Sequence, residues 1–155
     1  MTGATGYLTT HIIHEFFVLG YKVRKSARNT QQADHTRVLF VQHGSSNYDC
    51  TIVPNTATDS VFDEAVKSAS AVEHSASIIS SDKHPNKVIP ITVARVTTVP
   101  KAAAEEKSAK RFVYMLSSVT ATMPKPSMKF HIGGSTWNEE SIKAASGSPY
   151  ENGRK

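Results

Sequence analysis

Between Leu8 and Leu19 the hydrophobic residues fall three and four positions apart. The pairs Leu8/Ile12, Ile12/Phe16 and Ile13/Phe17 draw one stripe along a helix, and Gly20 supplies its stop. The pattern then shortens. Tyr21-Lys22-Val23-Arg24 reads as a short strand, Asp34 to Gln42 as a second helix closed by Gly44, and Thr51-Ile52-Val53 as a β-branched strand ended by Pro54. Phe62 to Val66 reads as helix again, with Ser60 as candidate cap and Asp63 three residues on. Ala71 to Ser75 is a strand, and Val88 to Glu106 is helical by composition, with Pro100 interrupting the run. Arg111 to Leu116 is an apolar run of buried-strand type that leads into Ser117 and Ser118. Beyond Thr122 prolines and glycines dominate (Pro124, Pro126, Gly133, Gly134, Gly147, Pro149, Gly153), so residues 123–155 read as a loop-rich tail.

Helices alternating with strands predict a doubly wound parallel sheet with helices on both faces. With 155 residues the chain fits one domain, 1–155. Composition adds exclusions. The 39% hydrophobic content can build a core, yet no apolar run approaches the roughly 20 residues of a membrane helix. No leader is expected either, since a glycine turn follows Met1 at once. The lone Cys50 forms no internal disulfide and suits a reducing compartment, so cytoplasm is the default. The net charge of +5 is spread over separate places, Lys22, Arg24, Lys25 and Arg28 in one and Lys107, Lys110 and Arg111 in another. Without interleaved aromatics it does not read as a nucleic-acid surface. His11 and His14 stand three apart ahead of Glu15, which is not a zincin order, so no metal site is expected.

The chemistry-bearing stretch is Thr2-Gly3-Ala4-Thr5-Gly6 opening a helix. Glycines there let a backbone approach a pyrophosphate, and a helix start offers free N–H groups and a positive dipole. A tight turn without ligand reads equally well from this motif alone. Further motifs follow in order: Gly20-Tyr21-Lys22-Val23-Arg24 with Arg28, Phe62-Asp63-Glu64-Ala65-Val66-Lys67, His74-Ser75-Ala76-Ser77, Pro85-Asn86-Lys87-Val88-Ile89-Pro90, Lys110-Arg111-Phe112-Val113-Tyr114 with Ser117-Ser118, and Trp137-Asn138-Glu139-Glu140. Together they resemble the extended short-chain dehydrogenase/reductases of the NAD-dependent epimerase/dehydratase superfamily, nearest to fungal aldehyde and ketone reductases related to dihydroflavonol reductase.

That resemblance implies a Rossmann-like domain, NADP(H) as cofactor, and hydride transfer to a small aldehyde or ketone. It places Gly3, Gly6 and the amides around Tyr7 and Leu8 at the pyrophosphate. Arg28 falls at the arginine that clamps the 2′-phosphate, with Lys25 or Arg24 as candidate helpers. Ala76 and Ser77 fall beside the nicotinamide ribose. Ser117, in preference to Ser118, stands at the catalytic serine; without the resemblance it reads as a strand-end serine satisfying local backbone.

Departures from the family pattern run alongside. Family members carry an apolar first strand before this glycine turn, and in the expected 3-2-1-4-5 order it lies in the centre. Its lack predicts two unpaired strand edges. Thr9 stands at the third fingerprint glycine, Asn55 at the adenine-contacting aspartate, Glu73 inside an apolar strand, and Arg95 in place of a small residue. Met115-Leu116 replace a polar pair. The family's Tyr-x-x-x-Lys, which follows the serine, is absent downstream of Ser117: Tyr150 is followed by Lys155, one residue too far. The chain is therefore expected to resemble a reductase that is catalytically silent in this form. The alternatives are a non-catalytic nucleotide-binding fragment, a decayed product, or a subunit that borrows its first strand.

Overall fold

A computed structural model of the chain describes residues 1–41, 45–77, 82 and 84–146. Gln42 and Gly44, expected at the end of the second helix, lie outside the described residues, as do Tyr150 and Lys155. Contacts divide the chain into two compact units, one of residues 1–79 and 90–115, the other of 80–89 and 116–155.

In the first unit, helix α1 (Tyr7–Val18) starts at Gly6 in extended conformation. It ends as its sequence predicts. Gly20 is left-handed at φ 80°, its amide donates to the Phe17 carbonyl at 3.0 Å, and the Tyr21 amide reaches back to Phe16 at 2.9 Å. This pair of bonds is a Schellman ending. It also explains a shift in the next element. Because Tyr21 is spent on closing α1, strand β1 runs Val23–Ala27 rather than from Tyr21.

Side chains alternate along β1, with Val23, Lys25 and Ala27 buried. Lys25 is only 1% exposed; its Nζ donates to the Gln32 carbonyl at 3.0 Å and lies over the Tyr48 ring. Burial lowers its pKa. Helix α2 (Thr30–Phe40) begins earlier than Asp34 because the Asn29 side chain accepts the Gln32 amide at 2.9 Å. Strand β2 (Tyr48–Ile52) pairs parallel with β1, Val23 opposite Tyr48 and Ala27 opposite Ile52.

Helix α3 (Asp63–Val66) is a single turn. Ser60 does not cap it through its side chain. Its backbone is left-handed at φ 59°, and its carbonyl accepts the Asp63 amide. Strand β3 (Ala71–His74) pairs parallel with β4 (Arg111–Tyr114). Helix α4 (Pro85–Glu105) continues through both Pro90 and Pro100. Pro100 thus removes a hydrogen bond without ending the helix, whose buried Thr98, Val99, Ala102 and Ala103 hold it to the core. The expectation that β4 is buried fails: Phe112 is 37% and Val113 47% exposed. An apolar run marks a strand fit to be covered on both faces, and covering elements decide whether it is.

Two apolar clusters form the core of this unit. One gathers Val53, Phe62, Val66, Val72, Val99, Ala102 and Ala103, the other Ala4, Ile13, Val23, Phe40 and Tyr48. In the second, the Tyr48 hydroxyl donates to Thr36 Oγ1 at 2.8 Å, so the buried phenol is satisfied.

The strands form two separate two-stranded ladders, β1–β2 and β3–β4. Met1 and Thr2 join them. The Met1 ammonium donates to the Arg24 carbonyl at 2.7 Å, the Ser26 amide to Met1 and the Thr2 amide to Glu73, and Thr2 makes a parallel bridge to His74. The chain thus has a Rossmann-like α/β fold whose central position is held, among the described residues, by two residues.

The second unit contains a short 3-10 turn at Ser118–Thr120 and helix α5 (Glu139–Ser146). Asn138 ties them: its Nδ2 donates to Val119 at 2.7 Å, and its Oδ1 accepts the Ser141 amide at 3.1 Å. Helix α5 lies inside the stretch whose composition reads as loop.

Candidate functional site

A cavity of about 530 Å³ opens in the first unit where the glycine turn, the end of β1 and the end of β3 converge. Thr2 to Gly6 form one wall, Ser26 to Arg28 with Gln32 another, and His74 to Ser77 a third, with Thr92, Arg95 and Val96 of α4 beside them. The turn is tightly built. Gly3 has φ 70°, and a Cβ on it would stand 2.8 Å from the Ala76 nitrogen. The Gly6 amide donates to the Gly3 carbonyl at 2.9 Å, which aims the start of α1 along the turn. No acidic residue occupies the first turn of α1. Its first N–H groups therefore carry the positive end of the helix dipole without a carboxylate to compensate.

Thr2 organises the wall opposite. Its Oγ1 accepts the Ala76 amide at 3.1 Å and lies 2.6 Å from His74 Nδ1. His74 is buried, and burial lowers its pKa, with the Met1 ammonium adding to the effect. A neutral ring accepting the Thr2 hydroxyl proton at Nδ1 fits both facts. Tyr114 stacks on this ring at 4.9 Å and also lines the cavity. Beneath it Glu73 hydrogen-bonds Ser75; burial pushes its carboxyl up, and its Oε2 lacks a hydrogen-bond partner.

Two cations reach the cavity. Arg28 is exposed; its backbone amide donates to Gln32 Oε1 at 3.2 Å, and no ion pair is recorded for its guanidinium among the described residues. Arg95 has a buried Nε without a hydrogen-bond partner. Glycine backbone, free helix N–H groups and two guanidiniums are a donor set for a polyanion, so the residues present fit a dinucleotide phosphate.

Of the residues singled out from sequence, the fold brings Gly3, Gly6, Arg28, Ala76 and Ser77 together around this cavity. Tyr7 and Leu8 begin α1, with side chains turned to solvent, Tyr7 84% exposed; only their amides face the role considered. Asn55 does not line the cavity, although Val53 and Thr56 on either side of it do. Its Oδ1 accepts the Ala57 amide at 3.1 Å instead. Lys25 and Arg24 are placed elsewhere. Lys25 is buried against α2, and Arg24 binds Asp49 at 2.8 Å and the Lys67 carbonyl at 2.7 Å. Ser117 belongs to the second unit, where its Oγ accepts the Val119 amide at 3.4 Å. Thr9, at the third glycine position, is buried. Sequence reasoning missed Thr2, Gln32 and Tyr114; only the unusual arginine at 95 gave an advance signal.

Comparison with known proteins gives a consistent picture. Residues 1–151 match the family described as the NAD dependent epimerase/dehydratase family. The chain is 33% identical over 146 residues to the NAD-dependent epimerase/dehydratase terH of Aspergillus terreus, covering 94% of this chain and 43% of that protein. It is 30% identical to aldehyde reductase 2 of Sporidiobolus salmonicolor, covering the same 94% and 43%. It therefore spans less than half the length of these relatives. In fold it is similar to yeast methylglyoxal/isovaleraldehyde reductase complexed with NADPH, with TM-score 0.75, 21% identity, and 88% of this chain and 42% of that one covered. Vestitone reductase from alfalfa superposes with TM-score 0.74 at 23% identity, covering 97% of this chain and 45% of that one. On the match along nearly its whole length, the chain belongs to the NAD dependent epimerase/dehydratase family.

Proposed function

We propose that the cavity binds NADP(H) and that the family reaction is hydride transfer between this cofactor and a small aldehyde or ketone. The observation that carries the reading is Arg28, an exposed guanidinium without an ion pair among the described residues, lining the same cavity as Gly3 and Gly6. Gly3, Gly6 and the Tyr7 and Leu8 amides take the pyrophosphate, Arg28 takes the 2′-phosphate, and Ala76 and Ser77 flank the nicotinamide ribose. Asn55, at the position the resemblance gives to the adenine contact, lies outside this cavity with its Oδ1 taken by the Ala57 amide, so the reading assigns it no contact. The bound cofactor supplies the hydride. Ser117, in the complete family arrangement, hydrogen-bonds the substrate carbonyl.

The 155-residue polypeptide itself is a nucleotide binder without turnover. The proton donor of the reaction is a tyrosine whose pKa is lowered by a lysine four residues on; in this sequence that spacing occurs only at Tyr21 and Lys25, neither of which lines the cavity. General acid catalysis of this kind is worth about 10²–10⁴-fold.

Calorimetric titration tests the binding claim. NADPH is expected to bind more tightly than NADH. Arg28→Gln is expected to weaken NADPH by about 10–100-fold, the worth of one charge-assisted contact, while leaving NADH unchanged. A chain with intact secondary structure that ignores millimolar NADPH, or a variant that loses both cofactors equally, overturns the assignment. Aldehyde-dependent NADPH consumption above background overturns the claim of silence.

A further inference from the structure

Thr92, Arg95 and Val96 share one face of α4, and together they line the cavity at the glycine turn. One turn later that face enters the core. Val99 is fully buried there, and the Thr98 hydroxyl donates to the Thr56 carbonyl at 2.8 Å. Arg95 therefore starts from the inward side of α4, held beside the loop after β2. Long helical side chains lean toward the helix amino terminus, so Arg95 extends back over Thr92 and along the cavity rather than toward Val99.

The guanidinium arrives there without a partner. Arg95 Nε is buried and makes no hydrogen bond, and the side chain forms no ion pair among the described residues. The residues lining the cavity include Arg28 and Arg95 but no Asp or Glu. An inward-facing cation with an unmet donor and no carboxylate in the same wall destabilises the empty fold. A small residue, which the sequence pattern leads one to expect at this position, would remove that cost. A side chain that merely filled space would be covered by its own fold. Arg95 instead faces an opening of about 530 Å³, a size usual for small-molecule sites.

Charge and shape define the compensating group. A guanidinium is planar, permanently charged and matched to paired phosphate oxygens. The start of α1 borders the same cavity, and no acidic residue in its first turn offsets the positive end of the helix dipole. Arg28 belongs to a different wall and takes the 2′-phosphate in the reading given above. The diphosphate is the anion of NADP(H) that remains.

We propose that Arg95 binds the cofactor diphosphate from α4, so that this anion is held by a guanidinium as well as by the amides that open α1. The proposal rests on the NADP(H) reading of the cavity and adds a second specificity to it. Arg28 separates the phosphorylated dinucleotide from the unphosphorylated one, whereas Arg95 serves both alike.

Calorimetric titration of the full chain with NADPH, NADH and inorganic pyrophosphate separates these roles. Arg95→Gln is expected to weaken both dinucleotides by the same factor, about 10–100-fold, and to weaken pyrophosphate as well. The urea midpoint of the ligand-free variant is expected to equal or exceed that of the parent, because the substitution leaves no cation unpaired. Unchanged dinucleotide binding overturns the proposal. Tighter binding does so too, and would mean that the arginine obstructs the site. Loss confined to NADPH also overturns it, placing Arg95 at the 2′-phosphate, as does a lower urea midpoint, which would make Arg95 a support of the fold. A parent chain that ignores both dinucleotides hands the decision to pyrophosphate. Pyrophosphate binding that Arg95→Gln weakens then preserves the anion site and removes the cofactor reading, and no binding removes both.

Discussion

Replacing Gly3 by alanine tests the geometry on which the nucleotide cavity rests. Gly3 combines two demands. Its φ of 70° lies in the left-handed region, and an added Cβ would meet the Ala76 nitrogen at 2.8 Å and the Ala76 Cα and Ser75 carbon at 3.0 Å. The left-handed backbone costs a non-glycine residue about 1–2 kcal/mol. Forcing an atom against backbone that cannot swing aside, as a side chain would, adds about 1–3 kcal/mol. The sum, about 2–5 kcal/mol, is a large part of the 5–15 kcal/mol typical of a folded domain. Gly20→Ala is the internal control. Its φ is 80°, yet nothing lies within 4 Å of its Cβ position, so it carries the first cost without the second. Urea unfolding followed by far-ultraviolet dichroism gives both values. Gly3→Ala is expected to lose at least about 1 kcal/mol more than Gly20→Ala. Equal losses would refute the close approach of the turn to the loop after β3.

Two further outcomes follow from buried groups and backbone. Burial holds the Met1 ammonium down to about 6 from its ordinary 8.0, so the unfolded chain binds more protons between these values and stability rises as pH goes from about 6 to about 8. The rise is at most about 3 kcal/mol; His74, also lowered, adds a rise that ends near its ordinary 6.5. Acetylating the amino terminus removes the Met1 part, and thermal melts of free and acetylated chain with the same pH slope over 6–8 would contradict it. Pro100→Ala restores a helical amide inside α4 and is expected to gain about 1–3 kcal/mol. An unchanged urea midpoint would mean that the helix is already bent to suit the proline.

How much of this was legible in the sequence depends on which force decided each element. Helix α1 could be read because its apolar period and its glycine stop are both local. Strand β1 was read too early because Tyr21 is spent on closing α1, and no pattern reveals that the buried Lys25 ammonium will find α2 carbonyls. The exposure of β4 was invisible for the opposite reason: apolar content states what can be buried, and only neighbouring elements carry it out. At the site, glycine and arginine positions were legible because they serve a backbone shape and a fixed charge. The hydroxyl of Thr2 was not, because its two contacts lie more than seventy residues away in sequence. Asn55 and Ser117 show how short polar side chains escape such reading. Each turns to an amide two residues ahead, a local bond that no motif forbids.

The two-residue seam between the ladders has a practical consequence for anyone producing the protein. An affinity handle fused ahead of Met1 converts its ammonium to an amide and leads new chain into the space between the strands. Such a preparation would differ from the untagged polypeptide in charge, in pH response and in what fills that gap. A handle at the opposite end leaves the seam as it is, and the comparison of the two preparations reads out the seam directly.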